Sequence, residues 1–161
     1  MPVPASIAIA AVNFHQNDTF LRKNLEGLAD EEWLRRPGGS ANHLMWIVGH
    51  LSWARSALLK RLGHDWSHPS LALSARGAKP EPSAWPTPQE ALAVWSDSCA
   101  RVAAALESVT EEALAVPSTQ GPPSHDGKVS GVVNFLAYHE TYHLGQISYI
   151  RSWLGHPGVM G

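Results

Sequence analysis

Apolar positions recur along this chain with the period of α-helices. From about Ser6 to Leu28 the residues Ile7, Ala11, Phe14, Leu21, Leu25 and Leu28 step by fours and threes, and Asp18 stands in the one remaining stripe position. That spacing predicts an amphipathic helix with a single polar interruption. Arg36-Pro37-Gly38-Gly39 breaks the pattern, after which Ser40 or Asn42 is expected to cap a second helix. Its stripe is Leu44, Ile47, Leu51, Ala54, Leu58 and Leu62, and Gly63 ends it.

Residues 63–86 carry Pro69, Pro80, Pro82 and Pro86 without a clear period, so a long connection is expected there. Such a segment, with Trp66 and Trp85, is either a lid over the mouth of a bundle or a crossover strap packed on the helices. Thr87-Pro88-Gln89-Glu90 is a helix start: a Thr cap, Pro at the first helical position and Glu reaching back from the third. The third helix runs to about Ser108 on the stripe Leu92, Trp95, Cys99, Val102 and Leu106, which makes Cys99 a small buried hydrophobe. A short helical turn after Thr110 and a string of breakers follow. Ser130 then caps a last helix that Gly155 and Pro157 stop.

No stretch alternates with period two over the length of a strand, so the expected fold is all-α: a four-helix bundle with long crossover connections. With 161 residues and no obvious internal duplication, one domain spanning 1–161 is the expectation. Hydrophobic residues make up 44% and charged residues 16%, a soluble globular balance rather than a disordered or membrane-spanning one. The formal net charge of −2 and the scattered Lys and Arg give no footprint for nucleic acid. No basic leader precedes the short apolar stretch at the start, and the single cysteine cannot form an internal disulfide. A cytoplasmic location is expected.

Nine histidines are many for a chain of this size, and histidine is the commonest metal ligand. In the last helix the stripe reads Val132, Leu136, His139, His143, Ile147, Ile150 and Leu154, so two histidines one turn apart stand in the middle of a buried face. Each buried imidazole has two nitrogens to satisfy, which an aliphatic stripe does not do. A third ligand has to come from another helix. His50, mid-helix and beside the second stripe, suits this better than His43, whose place near the helix start points to solvent or a cap. His15, His64, His68, His125 and His156 fall on a flank, in loops or at the tail.

Residues 139–143 also read His-Glu-Thr-Tyr-His, the H-E-x-x-H pattern of zinc metalloproteases. The extended form of that pattern needs Gly at 146 and His at 149, where this chain has Gln146 and Tyr149. No Asp or Glu follows Glu140 to serve as a later ligand. The protease reading is therefore remote. Glu140 is turned roughly 100° from His139 on the helix, which suits an interhelix salt bridge as well as a site near the ion.

The segment LADEEWLRRPGGSANHLMWIVGHLSWAR from Leu28 to Arg55, with its W…GHL, and His-Glu-Thr-Tyr-His-Leu-Gly-Gln-Ile at 139–147 resemble the DinB/YfiT-like superfamily of small four-helix metalloproteins. The resemblance implies that one histidine of the second helix and two of the fourth bind a divalent metal, which maps onto His50, His139 and His143. It also implies homodimers and, for the family's characterised branches, metal-dependent thiol transfer or isomerisation with a low-molecular-weight thiol such as glutathione, mycothiol or bacillithiol. Three neutral imidazoles leave an ion its charge and an open position, as in catalytic zinc sites. They suit zinc, nickel, iron or copper, with zinc and nickel expected first.

The expected function is thus a metal-dependent enzyme acting on a small molecule, of thiol S-transferase or hydrolase type. A metal-stabilised binding or stress-response protein without turnover is the alternative. Tyr142, Gln146, Asp18 and Glu140 are candidates to orient the ligands or move protons. Arg55, Arg61 and Arg151 are possible anion contacts, although exposed helix charges are the default. Trp46 and Trp53, seven apart, mark either a dimer interface or a second packing face.

Overall fold

The computed structural model describes residues 3–79 and 84–160. Pro80 and Pro82 lie outside them. The main helices are α1 (Ala8–Leu25), α2 (Leu44–Arg61), α3 (Pro88–Ser108), the single turn α4 (Glu111–Leu114) and α5 (Val129–Trp153). Short 3-10 turns occupy Ala5–Ile7, Asp30–Leu34 and Pro69–Ser74. No β-strand occurs among the described residues beyond an isolated bridge between Pro117 and Lys128.

Local chemistry sets the helix ends. Thr87 and Glu90 form the reciprocal cap of α3: the Glu90 amide donates to Thr87 Oγ1 at 3.2 Å, and the Thr87 amide donates to the Glu90 carboxylate at 2.8 Å. Helix α2 starts later than Ser40 or Asn42 would have it. His43 is its cap, the ring Nδ1 accepting the Trp46 amide at 3.0 Å. Likewise, Ser130 does not cap α5. Asp126 organises that start by accepting the Lys128 amide at 2.9 Å and the Ser130 hydroxyl at 2.6 Å. Gly63 and Gly155 take φ of 85° and 91° just past the ends of α2 and α5, conformations that a side chain disfavours.

Neighbours in sequence are not neighbours in the bundle. Helix α1 packs on α5 and α3, and α2 packs on α3 and α5, so α1 and α2 face each other across a diagonal. Asn17 donates to Thr141 at 3.1 Å, and seven residues further along both helices Ser148 donates to Asn24 at 2.9 Å. Helices α1 and α5 therefore run parallel. Leu44, Ile47 and Leu51 share a core cluster with Ala91 and Trp95 at one end, and Leu58 joins Val102 and Leu106 at the other, so α2 and α3 are parallel too. A parallel pair obliges the chain to travel back along the 18 residues of α2, roughly 27 Å, before α3 can start. That is why the α2–α3 connection is long.

The described part of the returning segment is a strap. Its 3-10 turn Pro69–Ser74 packs on α2 with Leu71 and Ser74 buried, and Trp85 meets the edge of the His43 ring at a centroid distance of 4.7 Å. Arg55 lies between the two apolar clusters with 2% of its surface exposed, and it touches all four long helices. From α2 it grips Glu140 of α5, donates to the Phe14 carbonyl of α1 at 3.3 Å and lies 4.0 Å over the Trp95 ring of α3. The expected exposed charge is thus a central tie. Arg151 is buried as well, donating to the Asn24 and Glu26 carbonyls at the end of α1.

Candidate metal centre

Helices α2 and α5 bring His50, His139 and His143 together, with one ring nitrogen of each lying within 4.8 Å of the others. The Nε2 atoms converge: His139 is 3.1 Å from His143 and 3.4 Å from His50. The opposite nitrogens explain this orientation. His50 Nδ1 is 3.0 Å from the Ser74 carbonyl oxygen of the strap, and His143 Nδ1 is 2.7 Å from Gln146 Oε1 one turn on. Both partners are acceptors, so both Nδ1 atoms carry the proton and both Nε2 atoms present a lone pair to the centre. His139 Nε2 can donate to only one of them. Its own Nδ1 is buried without a partner among the described residues.

Two imidazole lone pairs and a third ring nitrogen turned toward one point fit a cation better than they fit each other. Burial keeps them neutral. It is the main cause that lowers each: His139 to about 4, helped by the neighbouring His143 and His50, and His50 and His143 below the ordinary value against the opposing pull of Ser74 and Gln146. Neutral imidazole is the form that ligates.

Aromatic rings surround the cluster. Trp46 stacks on His50 with centroids 4.5 Å apart and 11° between planes, and Trp53 lies on the same ring at 5.4 Å. The seven-residue repeat of tryptophans is therefore a packing face for a histidine. Phe135 lies 6.0 Å from His139, and the Tyr142 ring meets the edge of His143 at 5.3 Å. His139 itself is half-buried. Tyr142 and Gln146 also line a cleft of about 600 Å³ between α5 and the 37–42 segment, together with Ser40, Asn42 and Tyr149. Among the described residues, none that lines it carries a charge.

The other sequence candidates lie elsewhere. Glu140 gives both carboxylate oxygens to Arg55, at 2.8 Å each, which takes it out of the role of a protease base. Asp18 does not reach the histidines, because it accepts from the Trp95 indole at 2.8 Å and from Arg22 at 2.9 Å. Cys99 is half-buried beside Asp18 in a groove between α1 and α3, and burial pushes its thiol up to about 12. Arg61 donates to the Gln120 carbonyl. Ser74 gave no signal in the sequence, since it acts through its backbone.

The sequence matches the family model described as DinB superfamily over residues 13–147, which includes all three histidines. The chain belongs to the DinB superfamily. Among solved structures it resembles YfiT from Bacillus subtilis, described as a probable metal-dependent hydrolase with an unusual four-helix bundle topology. That match has a TM-score of 0.68 at 13% identity and covers 92% of this chain and 87% of that one. The likeness is one of fold. A search of curated proteins found no significant match. No helix among the described residues is long and apolar enough to cross a membrane.

Proposed function

We propose that this DinB-superfamily protein is a metal-dependent hydrolase of small uncharged molecules, with His50, His139 and His143 as the ligands of one divalent ion. The observation that carries the reading is the donor accounting at the cluster. The Ser74 carbonyl and Gln146 hold protons on the outer nitrogens of two imidazoles, leaving their inner lone pairs for a cation. YfiT, which shares the fold, supports the hydrolase class.

A divalent ion so held supplies Lewis acidity, which makes water a nucleophile near neutral pH. The chain's own groups do the rest. Trp46, Trp53 and Phe135 exclude solvent from the rings they cover. The cleft beside Tyr142 and Gln146 is of a size that fits a small molecule and places a phenol hydroxyl and an amide within reach of it. Tyr142 is exposed, its ring lies on the edge of His143, and its hydroxyl accepts only a 3.4 Å hydrogen bond from Gln146, so that hydroxyl is a candidate to donate to a leaving group.

The uncharged cleft separates this reading from thiol transfer with glutathione or bacillithiol, whose carboxylates call for Arg or Lys. The partial exposure of His139 and the neighbouring cleft favour turnover over a closed, structural site. The experiment is to load the protein with Zn²⁺, Ni²⁺ or Fe²⁺ in turn and follow hydrolysis of a neutral ester, 4-nitrophenyl acetate, and of neutral anilides. Hydrolysis that requires the ion and disappears in His139→Ala is the expected result. Metal-loaded protein that leaves every neutral ester and anilide intact but binds glutathione would transfer the proposal to the thiol class, and inertness to both would make it a binding protein.

A further inference from the structure

Gly49 occupies the interior of α2, where glycine costs about 1 kcal/mol relative to alanine. A close approach explains its presence. A Cβ built on Gly49 would collide with Ser74 Oγ and come within 3.0 Å of Ser74 Cβ. Ser74 ends the 3-10 turn Pro69–Ser74 of the strap and is 1% exposed. The strap is packed closely on α2: Leu71 is buried, and only about 10 Å³ remains free between the strap and Met45, Ser52 and Trp85. One residue along from Gly49, the same Ser74 places its carbonyl oxygen 3.0 Å from His50 Nδ1.

We infer that Gly49 is a positioning residue for the metal site: its missing side chain lets the Ser74 carbonyl reach His50 Nδ1, and so turns the His50 Nε2 lone pair toward the ion. The inference rests on the reading of the three histidines as ligands. A methyl group at position 49 forces Ser74 away from α2 by a few tenths of an ångström or more, which lengthens and weakens the 3.0 Å hydrogen bond to His50. His50 is then free to place its proton on Nε2, the nitrogen that the ion needs. Loss of such an orienting partner typically lowers metal affinity about 10- to 100-fold.

The test compares Zn²⁺ affinity, measured by competition with a chromophoric chelator, in wild type, Gly49→Ala and the double variant Gly49→Ala/Ser74→Gly. The double variant removes both Ser74 side-chain atoms from the collision while keeping the carbonyl. The expected outcome is a loss of about 10- to 100-fold in Gly49→Ala, recovered in large part in the double variant, with matching changes in the visible spectrum of the Co²⁺-loaded proteins. Unchanged affinity in a folded Gly49→Ala, or a loss that Ser74→Gly does not repair, overturns the inference. Should Gly49→Ala not fold, the imidazole ¹⁵N spectrum of wild-type apoprotein decides: His50 must be the Nδ1–H tautomer, and an Nε2–H form overturns the inference. A wild type that binds no cation brings down the metal reading and this one with it, whereas an intact wild-type affinity with an insensitive Gly49→Ala brings down this one alone.

Discussion

The Arg55 guanidinium holds the Glu140 carboxylate through two parallel 2.8 Å hydrogen bonds in the centre of the bundle, one residue along α5 from His139. Both side chains are almost wholly shielded from water, at 2% and 3% exposure. An ion pair in such a place contributes little net stability compared with apolar packing, but each partner is costly to leave alone. The pair fixes α5 against α2 beside the cluster that these helices build.

Arg55→Met is expected to destabilise the fold by about 3–5 kcal/mol, because it strands a buried carboxylate. Arg55→Met/Glu140→Met should recover most of that loss in urea unfolding. The double variant should also keep its metal, since Glu140 lies outside the ligand set. A double variant as unstable as the single one would mean that the pair acts through something other than stranded charge.

Gln146 holds the His143 Nδ1 proton at 2.7 Å. Gln146→Leu is expected to weaken metal binding about 10- to 100-fold, while Gln146→Glu, which keeps an acceptor, holds affinity near wild type. Calorimetric titration with Zn²⁺ checks both. Because Gln146 is half-exposed, apoprotein melting should move little in either variant. Equal affinity in all three proteins would show that the His143 tautomer needs no partner.

His43 gives the fold a pH dependence of definite sign. Burial, then the charge of Arg36, lowers it from 6.5 to about 4, and its neutral Nδ1 accepts the Trp46 amide at the start of α2. Below pH 6.5 the unfolded chain takes up this proton and the folded chain does not, so His43 destabilises the fold progressively as pH falls toward 4. The slope from this group is at most about 1.4 kcal/mol per pH unit. His43→Asn keeps a capping acceptor that does not titrate, so urea unfolding between pH 7.5 and 4.5 should show wild type losing stability faster than the variant. Parallel curves would contradict this account of the cap.

The sequence made some of this plain and hid the rest for physical reasons. Helical periodicity placed His139 and His143 on one buried face, because that face depends only on the spacing along a single helix. The Thr87–Glu90 cap was legible for the same local reason. His50 was harder, since its ring faces α5 only by virtue of tertiary packing, and its choice over His43 rested on its mid-helix place beside the stripe, to which the family resemblance added. The diagonal placement of α1 and α2 was invisible: an amphipathic stripe tells which face is buried, not against what. Arg55 misled on similar grounds, because a lone arginine beside an apolar stripe looks exposed until Glu140 is brought to it. Ser74 could not have been found from its side chain. Gly49 offered a faint signal, a glycine in mid-helix just before a ligand candidate.

In the proposed site His50, His139 and His143 together hold one divalent ion. Metal content of the purified protein, measured by elemental analysis alongside His50→Ala and His139→Ala after loading with Zn²⁺ or Ni²⁺, tests it most directly. The prediction is about one ion per wild-type chain, as a three-imidazole site would bind, and almost none in either variant, with all three proteins folded. Metal content that stays the same in both variants would contradict it.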